Sequence, residues 1–399
     1  MQNMNTNKTI IVGMSGGVDS SVAALLLKEQ GYKVKGLFMQ NWQTEAGEEC
    51  TSEIDFKDAS KVCDLLDIPL HRANFADEYW DRVFKEFLSE HKKGRTPNPD
   101  ILCNREIKFK SFLDYAIKIG ADLIATGHYA NLKIIDDSTY LTRAIDLDKD
   151  QTYFLHEVKE NEFKKCIFPL SKYTKNEVRK IAKQHKLPIA DKKDSVGICF
   201  IGERNLKDFL NKFITFKKGK IKDENGCVIG EHQGSILYTE GQRQGLNIGG
   251  VKGRDELPWY VFKKDIKNNE ISVCQGVNNS LLMNSSLWLE EINYINNKEP
   301  KYPYDCFVQV RHQHKPVQCS VAKNNNGFLI NFSKIPFYID LKIFTNETLF
   351  LSLILIPVLP IGVFLGKWLN LKLSDNLFYN ISHVALFLCG VHLIIKNTI

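Results

Sequence analysis

Short, almost wholly apolar runs alternate with amphipathic stretches through the first half of the chain. Thr9 to Met14, Lys33 to Met39, Pro69 to Phe75 and Asp122 to Thr126 have the content of buried strands, and helical spacing recurs over Ser20 to Gln30, Asp55 to Leu66, Glu78 to Lys92 and Lys108 to Ile119. This alternation predicts an α/β fold in which a parallel sheet is wrapped by helices and ligands bind outside the carboxyl ends of the strands.

The pattern changes near Asn205. From Gly219 to about Gln275, Gly-bearing turns separate short β-rich runs, which predicts a small β domain. A further β piece follows at Asp305 to His312, Pro316 to Ala322 and Phe328 to Phe332, the last two joined by the turn-like Asn324-Asn325-Asn326-Gly327. Beyond Ile335 the polar positions thin out: Leu349 to Gly366 and Leu377 to Ile395 carry no formal charge, and each has the length of a membrane-span candidate. The expected division is a catalytic domain over 1–204, a central β domain over 205–280, a partial β-barrel over 281–334 and a hydrophobic tail over 335–399 that forms a helical hairpin.

Composition adds little to this pattern. At 399 residues, 43% hydrophobic and 25% charged, the chain has the make-up of a folded protein with more than one core, which excludes intrinsic disorder. A net charge of +6 does not by itself demand a nucleic-acid partner. The N-terminus is polar and carries no signal-peptide pattern, so the enzyme part is expected in the cytoplasm, with residues 349–395 as a candidate membrane tether. Ten cysteines without a CxxC pair or zinc spacing point to a reducing compartment, and no metal site is expected from them.

Chemistry enters at Ser15 to Ser21, which read SGGVDSS between the first apolar run and the first helical stretch. A strand that breaks at paired glycines and opens a helix offers backbone N–H groups and the positive end of a helix dipole to an anion. The loop lacks the Lys of the usual phosphate loop and carries Asp19 with Ser20 and Ser21. It is the pyrophosphate-loop signature of enzymes that cleave ATP between its α and β phosphates.

Cys103, in GRTPNPDILCNREIKF, and Cys199, in KDSVGICFIG, stand apart from the other cysteines because Arg105, Lys192 and Lys193 lie near them in sequence, and nearby cations favour the thiolate. Cys50, Cys63, Cys166, Cys227, Cys274, Cys306, Cys319 and Cys389 read as inert small hydrophobes. Asp100 sits on a turn stiffened by Pro97 and Pro99 that opens into a helical segment, and its carboxylate suits either an N-cap or a general acid/base.

These segments, together with GLFMQNW, ATGHYA, DKDQTYFL, EHQG, GQRQGLNIGG and PWYV, resemble the bacterial tRNA-specific 2-thiouridylase family from about Lys8 to Ser333. The resemblance implies a transferase that adenylates O2 of the wobble uridine in tRNA with ATP and Mg2+, then replaces that oxygen with sulfur. It implies ATP binding by Gly13, Met14, Ser15, Gly16, Gly17, Val18, Asp19 and Ser20, with Met39 and Gly127 near the adenosine. Asn98, Pro99 and Asp100 would touch the target base, Cys103 would be the nucleophile, and Cys199 would carry a persulfide received from a sulfur-relay protein. Lys149, Asp150 and Gln151, and Arg311 with His312, match tRNA-contacting segments, with His312 standing where the family commonly has Tyr.

The chain departs from that pattern after Pro336, where the closing strands of the family's last barrel give way to the hydrophobic tail. Leu359 to Ser374 and the apolar run after it resemble the end of a sulfite-exporter-type permease. A fusion or frameshift product, a membrane-tethered enzyme and a soluble helical pair all accommodate such a tail. Another pyrophosphate-loop ATP pyrophosphatase is the alternative enzyme reading, since it shares the loop without needing Cys103 or Cys199.

Overall fold

A computed structural model describes residues 7–42, 51–194, 206–249 and 256–332, with Phe364. Apart from Phe364, the tail lies outside the described residues, as does Cys199. Among the described residues no helix is long and apolar enough to cross a membrane.

In chain order, β1 (Thr9–Met14) leads into α1 (Val18–Glu29), then β2 (Lys33–Gln40), α2 (Thr51–Leu65) and β3 (Leu70–Asn74). Next, α3 (Ala76–Tyr79) continues through a π-helical turn into α4 (Lys85–Lys92), and α5 (Pro99–Cys103) continues through another into α6 (Phe112–Lys118). After β4 (Leu123–Ala125) come the hairpin β5 (Asn131–Ile135) and β6 (Ser138–Thr142), then α7 (Glu160–Phe163), β7 (Cys166–Ile167) and α8 (Lys175–Gln184).

The five-stranded sheet runs β3-β2-β1-β4-β7 with every pair parallel. Side-chain alternation along β1 sends Ile10, Val12 and Met14 into a core with α1, α2 and α8, and Ile11 into a second core with α3 to α7. Helices therefore cover both faces, as expected from the apolar runs. The strand order reverses at β1, whose two neighbours are β2 and β4. A doubly wound sheet leaves a crevice at this point, outside the carboxyl ends of β1 and β4. The Gly13 to Ser20 loop and the Thr126-Gly127-His128 turn follow those two strands.

The second half is built from α9 (Leu206–Asn211), β8 (Gly219–Lys222), β9 (Val228–His232), β10 (Trp259–Asp265), β11 (Glu270–Gln275), β12 (Ser286–Leu289), β13 (Tyr304–Val308), β14 (Val317–Asn324) and β15 (Gly327–Phe332). One sheet has the order β10-β11-β8-β9 around Ile221, Val261, Ile271 and Val273, and the other has the order β12-β15-β14-β13. The strand expected over Asp305 to His312 ends at Val308, because Gln309 to Pro316 leaves the sheet as a loop.

Candidate active site at the switch point

The crevice is made by close approach of two turns. A Cβ added to Gly127 would stand 2.7 Å from the Ser20 backbone nitrogen, so only glycine lets the turn after β4 lie against the first turn of α1. Gly16 has φ +70°, and a Cβ there would meet the Asp55 carbonyl oxygen at 2.2 Å. Gly17, the extended N-cap of α1, is less constrained, since its added Cβ would touch only Ser15 Oγ at 3.3 Å. Met39 stays next to the loop, its Cε lying 3.4 Å from a Cβ added to Gly13, and the Phe112 ring meets the same point at 3.6 Å.

The cation missing from the loop comes from α8. Thr174 and Glu177 form a capping box that starts this helix, and Lys175, its first residue, is only 8% exposed. Lys175 Nζ donates to both Asp19 carboxylate oxygens at 2.8 Å and pairs with Asp194 at 2.7 Å. Tyr129 donates its hydroxyl to Asp19 at 2.9 Å, and burial followed by the Asp19 charge pushes its phenol pKa upward. Burial also acts to raise the Asp194 carboxyl, but hydrogen bonds from Lys175 and Lys149 outweigh it and hold the group at about 2. Lys192 Nζ donates to the Gly16 carbonyl at 3.0 Å and pairs with Asp55 and Asp58 at 2.8 and 2.7 Å. In the sequence Lys192 stands out only as a neighbour of Cys199, and the roles of Lys175, Tyr129 and Asp194 emerge only in the fold. The signal present in the sequence for Lys175 is its place inside the capping-box pattern Thr174-Lys175-Asn176-Glu177, and its burial shows only in the fold.

The expected base-handling segment forms the start of α5. Asn98, not Asp100, caps α5: its side-chain oxygen accepts from the Asp100 backbone N–H at 3.1 Å, and Pro99 fills the first helical position. The N-cap option for Asp100 is thereby overturned, since the cap must precede the first helical residue. Cys103 ends α5 at 0% exposure, in the core that also holds Met39 and Phe112. The Arg105 guanidinium pairs with Glu106 at 2.9 Å and Glu157 at 2.5 Å.

Asn98→Ala is expected to lower stability by about 1 kcal/mol, the usual worth of an N-cap, as measured by thermal denaturation.

The two remaining expected segments are brought together. His312 Nε2 lies 3.3 Å from the Asp150 carbonyl and its ring centroid is 4.6 Å from Phe154, while Arg311 donates to the Glu240 carbonyl. The Asp150 carboxylate is turned inward onto the Ala144 N–H at 3.0 Å and the Thr152 N–H at 3.2 Å. Gln151 accepts from the Tyr129 N–H at 3.0 Å, and Lys149 pairs with Asp194 at 2.9 Å, so this segment is wired to the phosphate loop.

Asn41, just past β2, is 2% exposed, and neither its amide oxygen nor its nitrogen has a partner among the described residues. A buried unpaired amide is costly, so it marks a group that a ligand can satisfy. Among the described residues no group of three or more His, Cys, Asp or Glu could hold a metal ion.

Three domain models match the chain: tRNA methyl transferase HUP domain over 8–203, tRNA methyl transferase PRC-barrel domain over 207–275, and aminomethyltransferase beta-barrel domain over 284–337. The tRNA-specific 2-thiouridylase MnmA of Francisella philomiragia subsp. philomiragia is 52% identical over 323 residues, which is 80% of this chain and 90% of that protein. The protein of the same name from Pseudomonas fluorescens is 52% identical over 330 residues, 82% of this chain and 88% of that one. Among solved structures, the U34-tRNA thiolase NcsA from Methanococcus maripaludis superposes with a TM-score of 0.34 at 21% identity, covering 53% of this chain and 68% of that chain.

Proposed function

The chain belongs to the tRNA-specific 2-thiouridylases, and from that premise we propose that it adenylates O2 of the wobble uridine at the crevice between β1 and β4 and then replaces the oxygen with sulfur. The observation that carries the reading is the cradle made by Gly127 against the first turn of α1, with Lys175 held beside it by Asp19. That cradle suits the triphosphate of ATP: Gly13, Met14, Ser15, Gly16, Gly17, Val18, Asp19 and Ser20 wrap the phosphates, with Met39 and Gly127 beside the adenosine. Lys175 supplies the positive charge that a usual phosphate loop carries internally. Any Mg2+ would arrive with the phosphates.

A uridine carbonyl oxygen leaves poorly, and adenylation converts it into part of a phosphate leaving group. We assign Cys199 to carry the incoming sulfur as a persulfide from a relay protein, and Cys103 to act as the second thiol. Attack of the Cys103 thiolate on the inner sulfur would release the terminal sulfur and leave a Cys103–Cys199 disulfide. Asn98, Pro99 and Asp100 would bind the flipped base, and Lys149, Asp150, Gln151, Arg311 and His312 the surrounding tRNA. Residues 1–204 are taken as the catalytic domain, 205–280 as the central β domain and 281–334 as the partial barrel, and the reaction is placed in the cytoplasm with its tRNA.

The direct test is conversion of uridine to 2-thiouridine with purified chain, ATP, tRNA and a persulfide donor, read by nucleoside mass spectrometry. An amide-forming ATP pyrophosphatase would instead release pyrophosphate without tRNA and leave the uridine unchanged. With Asp100→Asn, turnover is expected to fall by about 10²-fold or more with tRNA affinity little changed, as for loss of a general acid/base. Equal losses in turnover and affinity would make Asp100 a binding group only.

Asn41→Leu separates ligand binding from structure. Removing an unsatisfied buried amide should leave the melting temperature unchanged or raised, while kcat/KM for ATP or tRNA drops by about tenfold or more. A variant as active as wild type would remove Asn41 from the site.

A further inference from the structure

An exposed aromatic ring on a polar sheet face calls for an explanation. Along β13, Tyr304, Cys306 and Val308 turn inward, while Asp305 and Phe307 turn outward. The register pairs Cys306 with Cys319 and Tyr304 with Val321, both partners 2% exposed, and pairs Phe307 with Gln318 and Asp305 with Ser320. Phe307 therefore stands on the outer, polar face at 71% exposure. Closing this sheet into a fuller barrel would bury the opposite face, the one carrying Cys319, Val321, Phe328 and Ile330, so the missing strands of the family pattern do not account for Phe307.

Phe307 lines a groove of about 540 Å³ with Arg143, Gln309 and Pro316. Arg143 follows the β5–β6 hairpin and donates to Gln309 Oε1 at 2.8 Å, which fixes the guanidinium at the groove. From Val308 to Val317 the chain reads VQVRHQHKPV, without an acidic residue, and Arg311, His314 and Lys315 are exposed. Asp305, at the end of β13 away from this loop, marks the edge of the basic surface. The same loop contains Arg311 and His312 beside the Asp150 segment. A flat aromatic face, a tethered guanidinium and a proline, set in a basic loop, match the chemistry of a stacked nucleobase with its phosphate. A protein partner would call for a contiguous apolar patch, whereas the other exposed ring of this face, Trp288, sits on β12 at the opposite edge of the sheet and Gln318, Ser320 and Asp305 neighbour Phe307.

We propose that Phe307 and Arg143 form a stacking site for an unpaired base of the tRNA, with Phe307 under the base and Arg143 at its phosphate. The proposal rests on tRNA being the substrate. Because Phe307 is exposed, Phe307→Ala should keep the wild-type melting temperature while the Kd for full-length tRNA rises roughly 5- to 100-fold, the range for loss of a base-stacking ring. Its log Kd against log salt should keep the wild-type slope, whereas Arg143→Gln should reduce that slope by about one phosphate contact. Phe307→Trp should restore affinity, and ultraviolet cross-linking should attach an unpaired nucleotide to the Phe307 peptide.

Wild-type chain that thiolates tRNA while Phe307→Ala binds it as tightly overturns the stacking site alone. Wild-type chain that neither binds nor thiolates tRNA overturns the enzymatic reading and this site with it. A dimer in light scattering that Phe307→Ala dissociates, with tRNA affinity unchanged, would assign the face to a second copy of the chain and also overturn the proposal.

Discussion

Cys103→Ser and Cys199→Ser are each expected to bring 2-thiouridine formation below about a thousandth of the wild-type rate, while pyrophosphate release with tRNA and ATP continues. Two thiols are needed if the sulfur leaves a persulfide by exchange, and a hydroxyl cannot replace either one. The nucleotide cradle is built from other residues, so adenylation need not fail with the sulfur step. Cys103 is fully buried in the core that also contains Met39 and Phe112, and Phe112 abuts the start of the Gly13 to Ser20 loop. A Ser there adds a buried hydroxyl, so each variant is assayed below its own melting temperature.

Cys63→Ser provides the control. Burial, then the Asp64 charge, pushes its thiol up to about 12, and it packs in the other core, so activity should survive its loss. Thiolation above about a tenth of wild type in either Cys103→Ser or Cys199→Ser would end the two-thiol mechanism. Loss of pyrophosphate release in both would mean that sulfur loading precedes and licenses adenylation.

The central strands were legible because Ile10, Ile11, Val12 and Leu37 are buried on both faces of the sheet and leave unbroken apolar runs. The β5–β6 hairpin was not, because Ile134, Ile135 and Tyr140 are exposed and the turn is made by Asp136 and Asp137 at positive φ, without the glycine that usually marks such a turn. β7 comprises only Cys166 and Ile167, too short for any periodicity. Helix α5 began nine residues before the expected helix at Lys108, because prolines dominate the local reading even though Asn98 followed by Pro99 is a helix start. The glycine loop was fully visible as a local string. Its cation was not, since Lys175 reaches Asp19 across 156 residues of chain and that pairing exists only after the sheet has formed. Cys306 and Cys319 likewise read as unrelated residues, yet register places their sulfurs 3.5 Å apart.

Lys175→Met is expected to lower ATP-dependent pyrophosphate release by about 10²-fold, the scale on which one lost electrostatic donor acts at a developing charge. The drop should fall mainly on kcat if Lys175 meets the departing pyrophosphate, and Lys175→Arg should recover part of it by keeping the charge. The competing explanation is structural, because Lys175 also ties α8 to α1 through Asp19 and to Asp194, and its removal leaves two partly buried carboxylates with less compensation. Thr174→Ala distinguishes the two. It breaks the capping box at the same helix end and should cost about 1 kcal/mol of stability, but it leaves the ammonium in place. If Thr174→Ala slows pyrophosphate release as much as Lys175→Met at matched fractions folded, Lys175 is an anchor of α8. If only Lys175→Met slows it, the charge itself acts on the phosphates, and the cation absent from the SGGVDSS loop has been supplied from the far end of the domain.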